Sequence, residues 1–170
     1  MLKYIGIGAA VLIGGVLVLA AMRPDSFQIR RSATINAAPE RIFPLINDLH
    51  RFNTWNPFDK PEMKGSYSGP QSGKGAAYAF GSGTIEITDS APASSVTMAL
   101  RMVQPFEVRN TVEFSLRPAS SAATEVAWTM HGPVPYVAKI IHLFIDMDRM
   151  VGAEFEAGLA SLKTLAEKAR

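Results

Sequence analysis

Val96-Thr-Met-Ala-Leu-Arg-Met102, Phe106-Glu-Val-Arg-Asn-Thr-Val-Glu-Phe-Ser-Leu116 and Val126-Ala-Trp-Thr-Met130 decide the fold. In each stretch apolar side chains alternate with polar or small ones, the period of a strand with one wet and one buried face. Three such strands in series predict an antiparallel sheet. Val134 to Lys168 then changes period. Val137, Ile140, Ile141, Phe144, Met147, Val151, Phe155, Leu159, Leu162 and Leu165 fall within one arc at about 100° per residue, which predicts an amphipathic helix of roughly 30 residues, about 45 Å long. Laying that helix across the apolar face of the sheet is the efficient way to bury both.

Working outward, Phe27 to Ile35 also alternates and reads as an opening strand, with Phe27, Ile29, Ala33 and Ile35 on one face. Pro39 suits the first turn of a helix, and Pro44 keeps that helix short. Asn47-Asp48 can cap a second short helix through Leu49, Phe52 and Trp55, which Pro57 ends. Ala76–Phe80 and Thr84–Thr88 flank Gly81-Ser82-Gly83, a hairpin-type turn. The Gly/Ser/Pro-rich stretch 65–75 reads as a loop.

Ahead of all this, residues 4–22 contain no charge; Lys3 and Arg23 close the run. As a helix it extends roughly 28 Å, close to the ~30 Å hydrocarbon core of a bilayer. Residues 1–23 are therefore expected to be an N-terminal transmembrane anchor, and 24–170 the working domain. The alternative is a cleaved signal sequence, against which the run is long for a core of about 7–15 residues. Flanking charge favours a cytoplasmic domain slightly, but Arg30 and Arg31 belong to the opening strand, so the side of the membrane stays open.

Composition excludes several functions. Seventeen basic residues face fifteen acidic ones with no basic block, so no nucleic-acid partner is expected. There is no cysteine, which removes thiolate nucleophiles and cysteine metal sites. The histidines at 50, 131 and 142 make no metal-ligand spacing, and no cofactor is expected. Gly73-Lys-Gly75 lacks the flanking residues of a phosphate loop, and no Gly-x-Ser-x-Gly elbow exists.

Asp148 sits inside the helix's apolar arc, where a lone carboxylate is costly unless paired. It is expected either as a polar anchor or acid/base in a cavity under the helix, or as a structural carboxylate. Arg31, in phase with Ile29 and Ala33, is its expected partner. Asn110 is polar among inward positions, and Tyr78 is in phase with Phe80; together they would supply polar groups to an apolar pocket. Met98 and Met130 complete the set of cavity candidates, Met being adaptable in pockets. Met102, like those two, reads as core first and pocket second; Trp55 and Trp128 read as packing residues, and His131 as solvent-facing.

The element order is similar to the helix-grip fold of the SRPBCC superfamily, which includes the START and birch-pollen-allergen proteins. Residues carry the likeness further: Phe27-x-Ile-x-Arg-Ser-x-x-Ile-x-Ala-x-Pro39, Asp48, Trp55-Asn-Pro57, Met63-Lys64, Tyr67-Ser-Gly-Pro70, Ile87-Thr-x-Ser90, Pro105-Phe-Glu107, Thr111-Val-Glu-Phe114, Thr124-Glu-Val-x-Trp128, Asp146-Met-Asp-x-Met-Val-Gly152 and Phe155-Glu-x-Gly-Leu159. They resemble the bacterial polyketide cyclase/dehydrase-like branch, often drawn with an N-terminal membrane segment. Where that branch carries a longer hairpin with a Trp, this chain has Phe80-Gly-Ser-Gly-Thr84. The resemblance implies an α+β fold with a curved antiparallel sheet around a long C-terminal helix. It also implies a hydrophobic small molecule or lipid as partner, bound between sheet and helix. Binding or transfer is expected ahead of cyclase/dehydratase chemistry, for which one cavity acid/base, Asp148 or Tyr78, would serve. A protein-interaction module with a filled core is the third expectation.

Overall fold

The computed structural model describes residues 2–60, 64–104 and 107–168. Helix α1, Leu2–Ala21, precedes a seven-stranded antiparallel sheet: β1 Ser26–Ile35, β2 Ser66–Ser68, β3 Ala77–Phe80, β4 Gly83–Ala91, β5 Ser95–Met102, β6 Val108–Ser120 and β7 Ala123–Pro133. Short helices α2, Pro39–Asn47, and α3, Leu49–Phe52, follow β1; α4, Tyr136–Ile141, and α5, Met147–Lys168, follow β7. Strand order is β1-β7-β6-β5-β4-β3-β2, so the first strand returns to pair with the last. Register slips at Ile87/Asp89 and Pro118/Ser120 each leave one extra residue, in β4 and in β6, and irregularities of this kind bend and twist the strand that carries them.

The strand reading holds, with differences at the margins. Three residues inside the stretch expected to be loop, Ser66–Ser68, pair with β3 as a short exposed edge. Strands β6 and β7 run past the stretches whose alternation marked them, because both turn polar beyond Leu116 and before Val126. Phe106, expected to open the fifth-to-sixth strand alternation, lies outside the described residues, as do Met63 and Pro105. Asp48 does cap α3: its carboxylate accepts from the backbone N–H of His50 at 2.9 Å and of Arg51 at 3.5 Å.

The single long helix is corrected. It is two helices with a turn over residues 142–146. The Asp146 carboxylate accepts from the Arg149 backbone N–H at 3.0 Å and so caps α5, which terminates the helical run from the other side. Asp146 and His142 therefore do not share a helix face. Val151, Phe155, Leu159 and Leu162 are buried against the sheet, each worth about 1.5–3 kcal/mol of transfer free energy. Val137, Ile141 and Phe144, counted in the same apolar arc, are exposed instead.

Candidate functional site

Helix α5 lies mainly against β1, at one edge of the sheet. Helix α2 packs on β5 and β6, and between these helices and the inner face of the sheet a cavity of about 390 Å³ opens. The sheet contributes Tyr78, Phe80, Ile85, Leu100, Met102, Asn110, Val112, Trp128 and Met130. The first part of α5 contributes Met147, Val151 and Phe155, and the segment after α2 contributes Phe52, Asn53, Asn56, Phe58 and Asp59. Ser82 in the β3–β4 turn forms part of the rim. The lining is overwhelmingly apolar with a few polar groups, the make-up of a small-molecule site, and its volume falls in the usual range of ~300–1,000 Å³.

An aromatic cluster closes one end. Trp128 stacks on Phe155 with ring centres 4.2 Å apart and planes 7° from parallel. Phe58 meets both rings edge-on at about 6 Å. Phe52, Trp55 and Phe114 continue the cluster into the core. Gly158 permits this approach, since a Cβ there would press on the Trp128 ring and on Pro57. The Trp55 indole donates to the Leu45 carbonyl at 2.8 Å, which ties α2 to the segment that floors the cavity.

Polar groups sit at separate points of the wall. The Tyr78 hydroxyl donates to the Asp59 carboxylate at 3.0 Å. Burial, reinforced by that carboxylate, pushes the phenol's pKa up to about 12, so it is a protonated donor at every physiological pH. Asn110 faces inward because Gly132, its neighbour on β7, has no side chain: a Cβ there would collide with the amide oxygen. Among the described residues the Asn110 Oδ1 and the Trp128 Nε1–H are buried without a hydrogen-bond partner. An unmade hydrogen bond of this kind costs about 1–3 kcal/mol.

A family profile described as polyketide cyclase / dehydrase and lipid transport matches residues 26–167. The chain belongs to that family. The match covers the whole helix-grip domain, and the SRPBCC likeness read from the sequence agrees with it. Solved structures share the fold at low identity. Norcoclaurine synthase from Thalictrum flavum, in complex with dopamine and hydroxybenzaldehyde, is 9% identical with a TM-score of 0.62, over 90% of this chain and 92% of that one. Protein MLL2253 from Mesorhizobium loti is 15% identical with a TM-score of 0.60, over 85% and 99%. The structure of Ara h 8.0201 is 10% identical with a TM-score of 0.58, over 84% and 99%. Comparison with curated protein sequences gives no match.

Within this polyketide cyclase/dehydrase-type fold the six sequence candidates separate. Tyr78, Asn110 and Met130 line the cavity. Met98 does not: it is fully buried in the core between β4 and β6. Arg31 and Asp148 do pair, at 2.9 Å, but away from the cavity, at the β1 edge. The Asp148 side chain is 61% exposed, so its place in the apolar arc is at the arc's border rather than under the helix. Arg31 lies across Gly152, bonding the Asp148 carboxylate and backbone carbonyl on one side and Glu156 at 2.9 Å on the other. Arg31 holds the Asp148 carboxyl below the usual range, as a clamp between β1 and α5 would. Asp148 is thus paired with Arg31 outside the lining of the cavity whose acid/base it was one candidate for.

Sequence reasoning missed Asp59, Asn53 and Asn56, which reach the cavity from an irregular segment with no periodic signal. It also took Trp128 for a packing residue, and Met102 for core before pocket. Their inward phase on β7 and β5 was visible, but the empty space opposite them was not.

Proposed function

We propose that residues 24–170 form a binding or transfer domain for a hydrophobic or amphipathic small molecule, held at the membrane by an anchor in residues 1–23. The carrying observation is the 390 Å³ apolar cavity between the sheet and α5, with few polar residues in its wall, Tyr78 and Asn110 among them. An apolar body fits the Ile85, Leu100 and Met130 surfaces, and a polar group on it would meet the few polar side chains of the wall, Tyr78 and Asn53 among them. The family's association with hydrophobic ligands supports this reading. Support for the anchor is an 18-residue apolar window, Tyr4–Ala21, of mean hydropathy 2.3 and almost wholly uncovered by the rest of the chain.

The test uses residues 24–170, whose core cluster is drawn entirely from residues 29–166. Purified protein is extracted with organic solvent for mass spectrometry and titrated with a hydrophobic fluorescent probe. A stoichiometric apolar compound, or saturable probe uptake that Met130→Trp abolishes, is the expected result. An empty protein that takes up no probe overturns it and favours a module that binds protein.

A catalytic reading has one observation behind it, the Tyr78–Asp59 pair in the cavity wall. There the phenol's single O–H would turn from Asp59 to a carbonyl oxygen of the bound molecule. Tyr78→Phe separates the two: a carrier keeps probe affinity to within a few fold, whereas a cyclase or dehydratase loses turnover of its bound compound.

A further inference from the structure

Six large apolar side chains stand exposed along one short stretch of chain: Tyr136, Val137, Ile141, Phe144, Ile145 and Met150. Phe144 is 75% exposed and Val137 59%. They occupy α4, the turn after it and the first turn of α5, and no described residue covers them. An apolar patch rimmed by polar groups marks a contact surface. What distinguishes this one is its neighbour. The Tyr136 hydroxyl donates to the backbone carbonyl of Leu17 at 2.8 Å, and Lys139, itself buried, pairs with Asp25 just after α1. Ala20 is fully buried in the same junction. Thus α4 is docked on the last turn of the apolar helix. Leu17 lies four residues inside the helix end, about 6 Å along its axis.

We infer that α4 and the turn through Phe144 and Ile145 form a second membrane contact, lying in the lipid interface beside α1. This rests on the anchor reading above. If α1 spans the bilayer, the Tyr136–Leu17 bond sets α4 at the depth of the span's final turn. That is the headgroup–acyl boundary, where Tyr is favoured and where amphipathic helices bury an apolar face about 5–10 Å deep. Tyr136 joins the patch to the last turn of α1, so one lipid phase would cover both. The consequence concerns the cavity. Met147 and Val151 wall it from the inner side of the segment whose outer side carries Ile145 and Met150. A single layer of side chains then separates lipid from the bound molecule, and an apolar ligand would enter from the acyl region without crossing water.

The chain has no cysteine, so single-cysteine variants of the full chain can be spin-labelled cleanly. Leu12→Cys reports on α1, Phe144→Cys and Ile145→Cys on the patch, and Ser121→Cys on the β6–β7 turn at the opposite end of the sheet. Each is placed in phosphatidylcholine–phosphatidylglycerol vesicles, and collisions with oxygen, which partitions into lipid, are compared with those of a water-soluble nickel chelate. Labels at 144 and 145 are expected to favour oxygen, as does 12, while 121 favours nickel. Oxygen preference at 12 with nickel preference at 144 and 145 overturns the second contact and leaves the anchor standing. Nickel preference at all four overturns the anchor and the inference with it. Patch labels shielded from both reagents mean a protein partner, and spin–spin broadening among them means a second copy; either overturns the lipid contact.

Discussion

The inner face of the sheet carries the same alternating pattern from end to end, yet its two halves differ. On the side of β1, β7 and lower β6, Ile29, Val126, Phe114 and Leu116 meet Phe52, Leu159 and Leu162, and all are essentially inaccessible. On the side of β3, β4 and upper β5, Ile85, Leu100, Met102 and Tyr78 face open volume. The composition of the two halves barely differs. What differs is cover: α5 lies along the β1 edge, and the segment 53–59 bridges the other half without filling it. An apolar strand face is therefore a statement about direction, and whether it becomes core or cavity depends on where a separate element comes to rest.

The sharpest way to break this contrast is truncation. Phe114→Ala, in the filled half, is expected to cost about 3–5 kcal/mol in urea unfolding of residues 24–170. Leu100→Ala, beside the cavity, is expected to cost under about 2, since its side chain lacks partners on one side. Equal losses would mean that the cavity is filled in solution. Enlargement probes the same point in reverse. Val126→Phe should destabilise by about 1–3 kcal/mol through overpacking, whereas Leu100→Phe should be close to neutral and should weaken probe uptake.

A smaller effect separates the clamp at the β1 edge from the polar groups in the cavity. Gly152→Ala places a methyl where the Arg31 guanidinium lies. The Asp148 carboxyl, now held low by Arg31, should return toward its ordinary 3.8 in an NMR titration. Because its folded value is depressed, the pairing contributes stability above the unfolded pKa and loses it as pH falls through the folded one. Wild type should therefore lose more stability than Gly152→Ala on acidification below about pH 4. The smallest signal is Tyr78. Its phenol should ionise near pH 12, seen by ultraviolet absorbance, and Asp59→Asn should lower that midpoint. The raised value means stability is complete below about pH 10, the unfolded phenol's value, and declines as pH rises toward 12.

Fold and site were unequally legible. Six strand stretches and the Pro39 start of α2 could be read because each rests on a local period or a local steric rule. The break between α4 and α5 could not be read from hydrophobicity, since Ile141 and Phe144 keep the helical period while pointing outward. Asp146, one residue before Met147, was the available signal, an N-cap residue in what passed for mid-helix. Arg31 and Asp148 were paired correctly because both violated the pattern of their elements, but phase alone could not say that the meeting point is a sheet edge. Tyr78, Asn110 and Met130 were legible as inward positions. Asp59 was not, because nothing in an aperiodic segment marks which side chain will turn inward.

The strand that carries Arg31 is the end of the sheet, and its outer backbone would ordinarily be free to recruit another chain. Two side chains occupy it instead: Arg31 donates to the Arg30 carbonyl at 2.9 Å, and Lys163 of α5 donates to the Thr34 carbonyl at 3.0 Å. Long cationic side chains laid on alternate acceptors make that border a poor template for intermolecular pairing. The clamp that seats the helix thus also protects colloidal behaviour, and Arg31→Met with Lys163→Met should be recognised first by a shortened shelf life in concentrated solution, ahead of any loss of ligand.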